Sequence, residues 1–68
     1  MDKKEWSKMV KKELIERDMD LYDLAEKCDY SYDAIRKTVN LQAPYDRPNY
    51  DRPRSAICKV LGIESWSD

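Results

Sequence analysis

Histidine and phenylalanine are absent from this 68-residue chain, and glycine occurs once, at Gly62. Without histidine the commonest proton-moving side chain is missing, and no nucleophile has an evident activating partner. A single glycine cannot form a Gly-rich phosphate loop. The only cysteines, Cys28 and Cys58, would need carboxylates beside them to complete a zinc site. Each lies among apolar neighbours at helical spacing, which points to two buried free thiols rather than a disulfide. No apolar run approaches the ~18–20 residues that span a bilayer, and MDKKEWSKMVKK has no uninterrupted apolar stretch of the signal-peptide kind. These shortages predict a cytoplasmic chain that is not an enzyme and carries neither cofactor nor metal. Acid pairs such as Asp18 and Asp20 fit helix ends better than catalysis.

What is present suits one small helical domain. Hydrophobic residues make up 41% of the chain and charged residues 40%, enough for a core and a solvated exterior. A chain this short buries only about 60% of the surface its unfolded form exposes, and helices, rich in local contacts, are the cheapest way to build such a core. Residues 1–68 are therefore predicted to form a single domain, with a core from about 5 to 63.

Periodicity places the elements. Trp6, Met9, Val10, Leu14 and Ile15 mark a buried stripe on a first helix, about Asp2 to Arg17, whose lysines and glutamates look like an ordinary solvated surface. Asp20 can cap a second helix, Leu21 to Cys28, with Asp23 as a weak capping-box partner. Ser31 can cap a third, from Ser31 to Asn40. About three residues join these two helices, which forces an abrupt change of direction, and Asp29 sits where positive φ is needed. Between Leu41 and about Asp51 lies an irregular loop that shares the chain's three prolines and two YDRP copies with the start of the next helix. Asp51 is the expected cap of a last helix, with Pro53 in its first turn and Gly62 at its end, and the tail ESWSD should be loose unless Trp66 finds a pocket. The expected core is Val10, Leu14, Leu24, Ala25, Cys28, Ile35, Val39, Ile57, Val60 and Leu61.

The order and spacing of ELIERDMDLYDLAEKC, the short turn and the trailing KVLGI resemble the Cro/CI-type (phage-repressor-like, XRE family) helix-turn-helix domains, over about Val10 to Ile63. The resemblance implies an all-α, lambda-repressor-like bundle of four to five short helices around a central helix-turn-helix. It also implies a phage or mobile-element type of transcriptional repressor that reads double-stranded DNA, usually as a homodimer, with its third helix in the major groove. The chain departs from the family at Leu21, where a Gln often opens the second helix, at Asp29, which replaces the turn glycine, and in its longer loop.

Helical projection of the third helix, with Ile35 at zero, puts Arg36 at about 100°, Asn40 at about 140°, Asp33 at about 160° and Lys37 at about 200°. Tyr32 borders this outward face and Ser31 opens it. Arg and Lys can pair with guanine edges, Asn with adenine, and Asp with the cytosine amino group. Asp33 can equally hold Arg36 or Lys37 from one turn away. Residues 31–54 hold five basic against three acidic side chains, whereas the whole chain carries a net charge of −1. Arg47, Arg52 and Arg54 are candidates for flanking phosphates, unless Arg47 and Arg52 pair with Asp46 and Asp51 in their own loop. The alternative is a protein-interaction module on the same scaffold, an antirepressor or accessory factor, which the weak charge and the tyrosine-rich loop favour.

Overall fold

The computed structural model describes residues 1–67. Four helices follow one another, α1 (Lys3–Glu16), α2 (Leu21–Cys28), α3 (Tyr32–Val39) and α4 (Arg52–Leu61), with no strand among the described residues. None of these helices is long and apolar enough to cross a membrane.

Local chemistry sets the helix starts. The Asp2 side chain accepts from the Glu5 amide, Asp20 and Asp23 form a reciprocal capping box, and the Ser31 hydroxyl accepts from the Ala34 amide. Each bond satisfies an amide that has no partner inside the helix. Asp51 departs from expectation. Its backbone is already helical (φ −92°, ψ −11°), so its side chain makes no capping bond and Pro53 alone marks the helix start.

The helix ends share one device. Asp18, Asp29, Leu41 and Gly62 each take a left-handed conformation, with φ between 54° and 68°. The next amide then turns back to a carbonyl five residues earlier: Met19 to Leu14, Tyr30 to Ala25, Gln42 to Lys37 and Ile63 to Cys58. This closes otherwise unpaired carbonyls, and three of the four positions do it without glycine.

α2 packs against both α3 and α4, and α1 against α3. Trp6, Val10 and Leu14 meet Leu24, Ala25 and Cys28 of α2, Ile35 and Val39 of α3, and Ile57, Cys58 and Leu61 of α4. Both thiols are free and buried. Burial pushes them above the ordinary thiol range; for Cys58 the Trp6 indole N–H, which donates to its sulfur at 3.3 Å, partly offsets this.

Several expectations need correction. Met9 is 37% exposed and Ile15 80% exposed. The stripe of α1 is narrower than expected: Trp6, Val10 and Leu14, four apart, fill its core-facing arc, and Ile15 lies about 100° beyond Leu14. Val60 is only half-buried. The core also runs past residue 63. Trp66 is 5% exposed, and the Ser67 amide donates to the Met1 carbonyl at 3.0 Å, so Trp66 finds the pocket that was the condition for an ordered tail. Asp68, the last residue of that tail, lies outside the described residues.

Candidate nucleic-acid interface

α3 exists as a two-faced helix because its inward residues are packed from both neighbouring sides. Ala34, Ile35, Thr38 and Val39 are buried, and the Thr38 hydroxyl donates to the Ala34 carbonyl, so no polar group is stranded on that face. The Ser7 hydroxyl of α1 donates to the Val39 carbonyl at 2.6 Å and fixes the far end of the helix. Asp33, Arg36, Lys37 and Asn40 are left on the outward side.

Asp33 organises this side. Its Oδ1 accepts from Arg36 Nη2 at 2.8 Å, and its Oδ2 lies 3.1 Å from Lys37 Nζ. Hydrogen bonds first from Arg36 and then from Lys37 hold its carboxyl below the usual carboxylate range. Arg36 Nη1 also donates to Gln42 Oε1 at 3.2 Å, so the guanidinium is held at both ends. One carboxylate thus positions two cations and cancels half of their charge.

The other expected residues lie at the two ends of α3, in the loop that leads into α4 and at the start of α4. Ser31 is the cap of α3, and Tyr32 stacks on Tyr22 of α2 with ring centres 4.0 Å apart and planes 13° from parallel. Asn40 follows the last turn of α3 and shares a groove with Lys11, Ile15 and Leu21. Arg52, at the start of α4, lies beside Tyr30 in the α2–α3 turn and beside Tyr45 and Tyr50 of the loop. Arg47 is exposed, and among the described residues neither it nor Arg52 makes the intraloop ion pair with Asp46 or Asp51 that was the alternative.

Arg54 is a correction. It is 8% exposed and lies with its guanidinium carbon 4.1 Å from the centre of the Trp66 ring, turned inward rather than toward a phosphate. Its Nε and Nη1 are buried with no hydrogen-bond partner among the described residues. The aliphatic stem and flat head of arginine suit stacking on an indole, and Trp66 in the tail supplies the surface.

Gln42 and Tyr22 were not anticipated. Gln42 is one turn beyond Lys37 in the chain, and only the left-handed Leu41 brings it back beside Arg36. Tyr22 is readable in hindsight as the outward residue that follows the α2 start.

Among the described residues no group of three or more His, Cys, Asp or Glu side chains is arranged to hold a metal ion. Compared with known proteins, the chain matches no family model, no curated protein and no solved structure.

Proposed function

We propose that this chain is a cytoplasmic DNA-binding regulator of the phage or mobile-element repressor kind, in which α2 and α3 act as a helix-turn-helix and α3 enters the major groove. The observation that carries this reading is the outward set on α3. Asp33, Arg36 and Lys37 share the outward side of a short helix whose other side is fixed in the core, Asn40 closes its end, and Asp33 aims both cations. Preset donors and acceptors of these types match the edges of base pairs. The change of direction needed to lift α3 clear of α2 comes from the left-handed Asp29 and the Ser31 cap. A symmetric homodimer on two half-sites would supply the affinity that one copy with a net charge of −1 lacks.

A second reading, a protein-interaction module, has one observation in its favour. The exposed Tyr22 stacked on Tyr32 makes a flat aromatic ledge beside the same face, and tyrosine is enriched where proteins meet.

Fluorescence anisotropy with duplexes of mixed sequence and of the chain's own upstream region, at low and moderate salt, separates the two readings. The DNA reading expects salt-sensitive binding, tighter to the upstream duplex. No salt-sensitive binding to either duplex would refute it and turn the search to a protein partner.

A further inference from the structure

α1 carries charges that alternate along the sequence but segregate around the helix. With Trp6 at zero and about 100° per residue, the buried Val10, Leu14 and Ser7 fall at about 40°, 80° and 100°. Lys11, Lys4 and Lys8 follow at about 140°, 160° and 200°, whereas Glu5, Glu16 and Glu13 fall at about 260°, 280° and 340°. Lys12 stands between the two flanks and approaches Glu16 at 4.0 Å. Lys4, Lys8 and Lys11 are exposed and make no ion pair among the described residues.

Packing fixes which way each flank faces. Ser7, at the edge of the lysine flank, is bonded to the Val39 carbonyl, and Lys11 lines one groove with Asn40. The lysine flank therefore borders the end of α3. On the opposite side Arg17 pairs with Glu13 at 3.6 Å and donates to the Leu61 carbonyl, so Glu13 borders the end of α4, while Glu5 lines a groove with Lys8 and Glu13.

We infer that Lys4, Lys8 and Lys11 form a phosphodiester-binding row that continues the α3 surface and engages the DNA backbone outside the bases that α3 reads. This rests on the DNA-binding reading above and goes further by naming an anchoring surface on a different helix. The row runs seven helical steps from Lys4 to Lys11, about 10 Å of helix. Three unpaired lysines on long flexible stems suit sequence-independent phosphate contact, which requires charge and reach rather than bidentate geometry. The row also answers a question of charge. Arg54 is turned inward and Asp33 cancels one charge on α3, so a molecule of net charge −1 needs another concentrated source of positive potential. By keeping Lys4, Lys8 and Lys11 on the flank that borders α3, α1 supplies one on the α3 side.

The test is the salt dependence of binding by the full chain. Removing one lysine–phosphate pairing should flatten the slope of log K against log salt by about 0.9. The variant K4Q/K8Q/K11Q should lose about 2 to 3 units of slope on mixed and upstream duplexes alike. Its discrimination between the two should be unchanged. The charge-matched variant K12Q/K27Q/K59Q, of which only Lys12 adjoins this flank and is paired with Glu16, should keep the wild-type slope to within about half a unit. Glutamine retains good helix propensity at these exposed positions, and circular dichroism should show both variants folded. Salt-sensitive wild-type binding with an equal slope in the two triple variants overturns the lysine row and leaves the DNA reading standing. Wild-type protein without salt-sensitive binding overturns both.

Discussion

Trp66 stands edge-on to Trp6, with ring centres 5.0 Å apart and planes at 77°. This edge-to-face arrangement brings the electropositive rim of one ring to the face of the other. Lys3 Nζ, 5.8 Å from the centre of the Trp66 ring, and the Arg54 guanidinium add cation–π attraction. The tail is therefore part of the core, although its flanking residues Glu64, Ser65 and Ser67 are polar and exposed.

Replacing Trp66 should consequently cost far more than a tail substitution ordinarily does. Trp66→Ala is expected to lower stability by ~3 kcal/mol in urea denaturation, from the lost burial and the cavity left against Trp6. A domain of this size has roughly 3–10 kcal/mol in total, so the loss removes about a third of its stability or more. A loss below about 0.5 kcal/mol, the scale of ordinary surface changes, would show that the tail does not hold its socket in solution.

Arg54 and Arg47 should separate cleanly. Arg54→Ala removes the stem and head that cover Trp66, and about 1–2 kcal/mol of stability should go with them while the salt dependence of DNA binding stays at its wild-type slope. Arg47→Ala should leave the melting curve in place and flatten that slope by about one unit. The reverse pattern would place Arg54 on the DNA and Arg47 in the fold.

The carboxyl of Asp33 offers a pH test. Its folded-state pKa is depressed, chiefly by the hydrogen bond from Arg36, so the stabilisation it provides is present above the unfolded-state value near ~3.9 and disappears as pH falls through the lower folded value. The two ion pairs should persist to lower pH than an unpaired aspartate would allow. In a carbon-13 NMR titration the Asp33 midpoint should lie below that of an unfolded peptide, and Arg36→Ala should bring it back up. In binding assays Asp33→Ala should raise affinity for mixed-sequence DNA, because one repulsive charge leaves the face. If Asp33 also accepts from a cytosine, discrimination at one base pair should relax as well.

Asp29 should be improvable. Its left-handed φ of 59° is a conformation that glycine adopts without a Cβ penalty. Asp29→Gly is expected to raise stability by ~0.5–1 kcal/mol, the relief of strain being partly offset by the greater freedom of glycine in the unfolded chain. A loss of stability in chemical denaturation would mean that the aspartate side chain contributes more than its backbone costs.

Features decided within four or five residues were legible in the sequence. The Asp20 and Ser31 caps, the positive φ at Asp29 and the Gly62 stop each depend on short-range chemistry, and each is where the residue types placed it. The outward set on α3 followed from helical projection alone. Asp51 was misread because an Asp before a Pro-containing first turn looks like a cap whether or not its own backbone is already helical. Ile15 escapes the sequence because an apolar residue beside Leu14 fits the helical repeat, although the stripe has no room at that angle. Arg54 and Trp66 were out of reach for another reason. Their partnership joins positions 12 apart through a socket that includes Trp6 and Lys3 near the other end of the chain, and no local pattern encodes such a meeting. The segregated lysines of α1 lie between these cases: projection could have found them, but only packing tells which neighbour each flank faces.

The meeting of Trp66 with Trp6, and of Ser67 with Met1, bears on how the protein is made. Synthesis proceeds from the N-terminus at roughly 5–20 residues per second, and small domains can begin to fold as they emerge. Here the indole that completes the core emerges after all four helices. Until then Trp6 presents one uncovered side, and Arg54 has no ring to lie against. The helices can form in order along the chain, but the core closes only when Trp66, which follows α4, reaches Trp6 in the first helix.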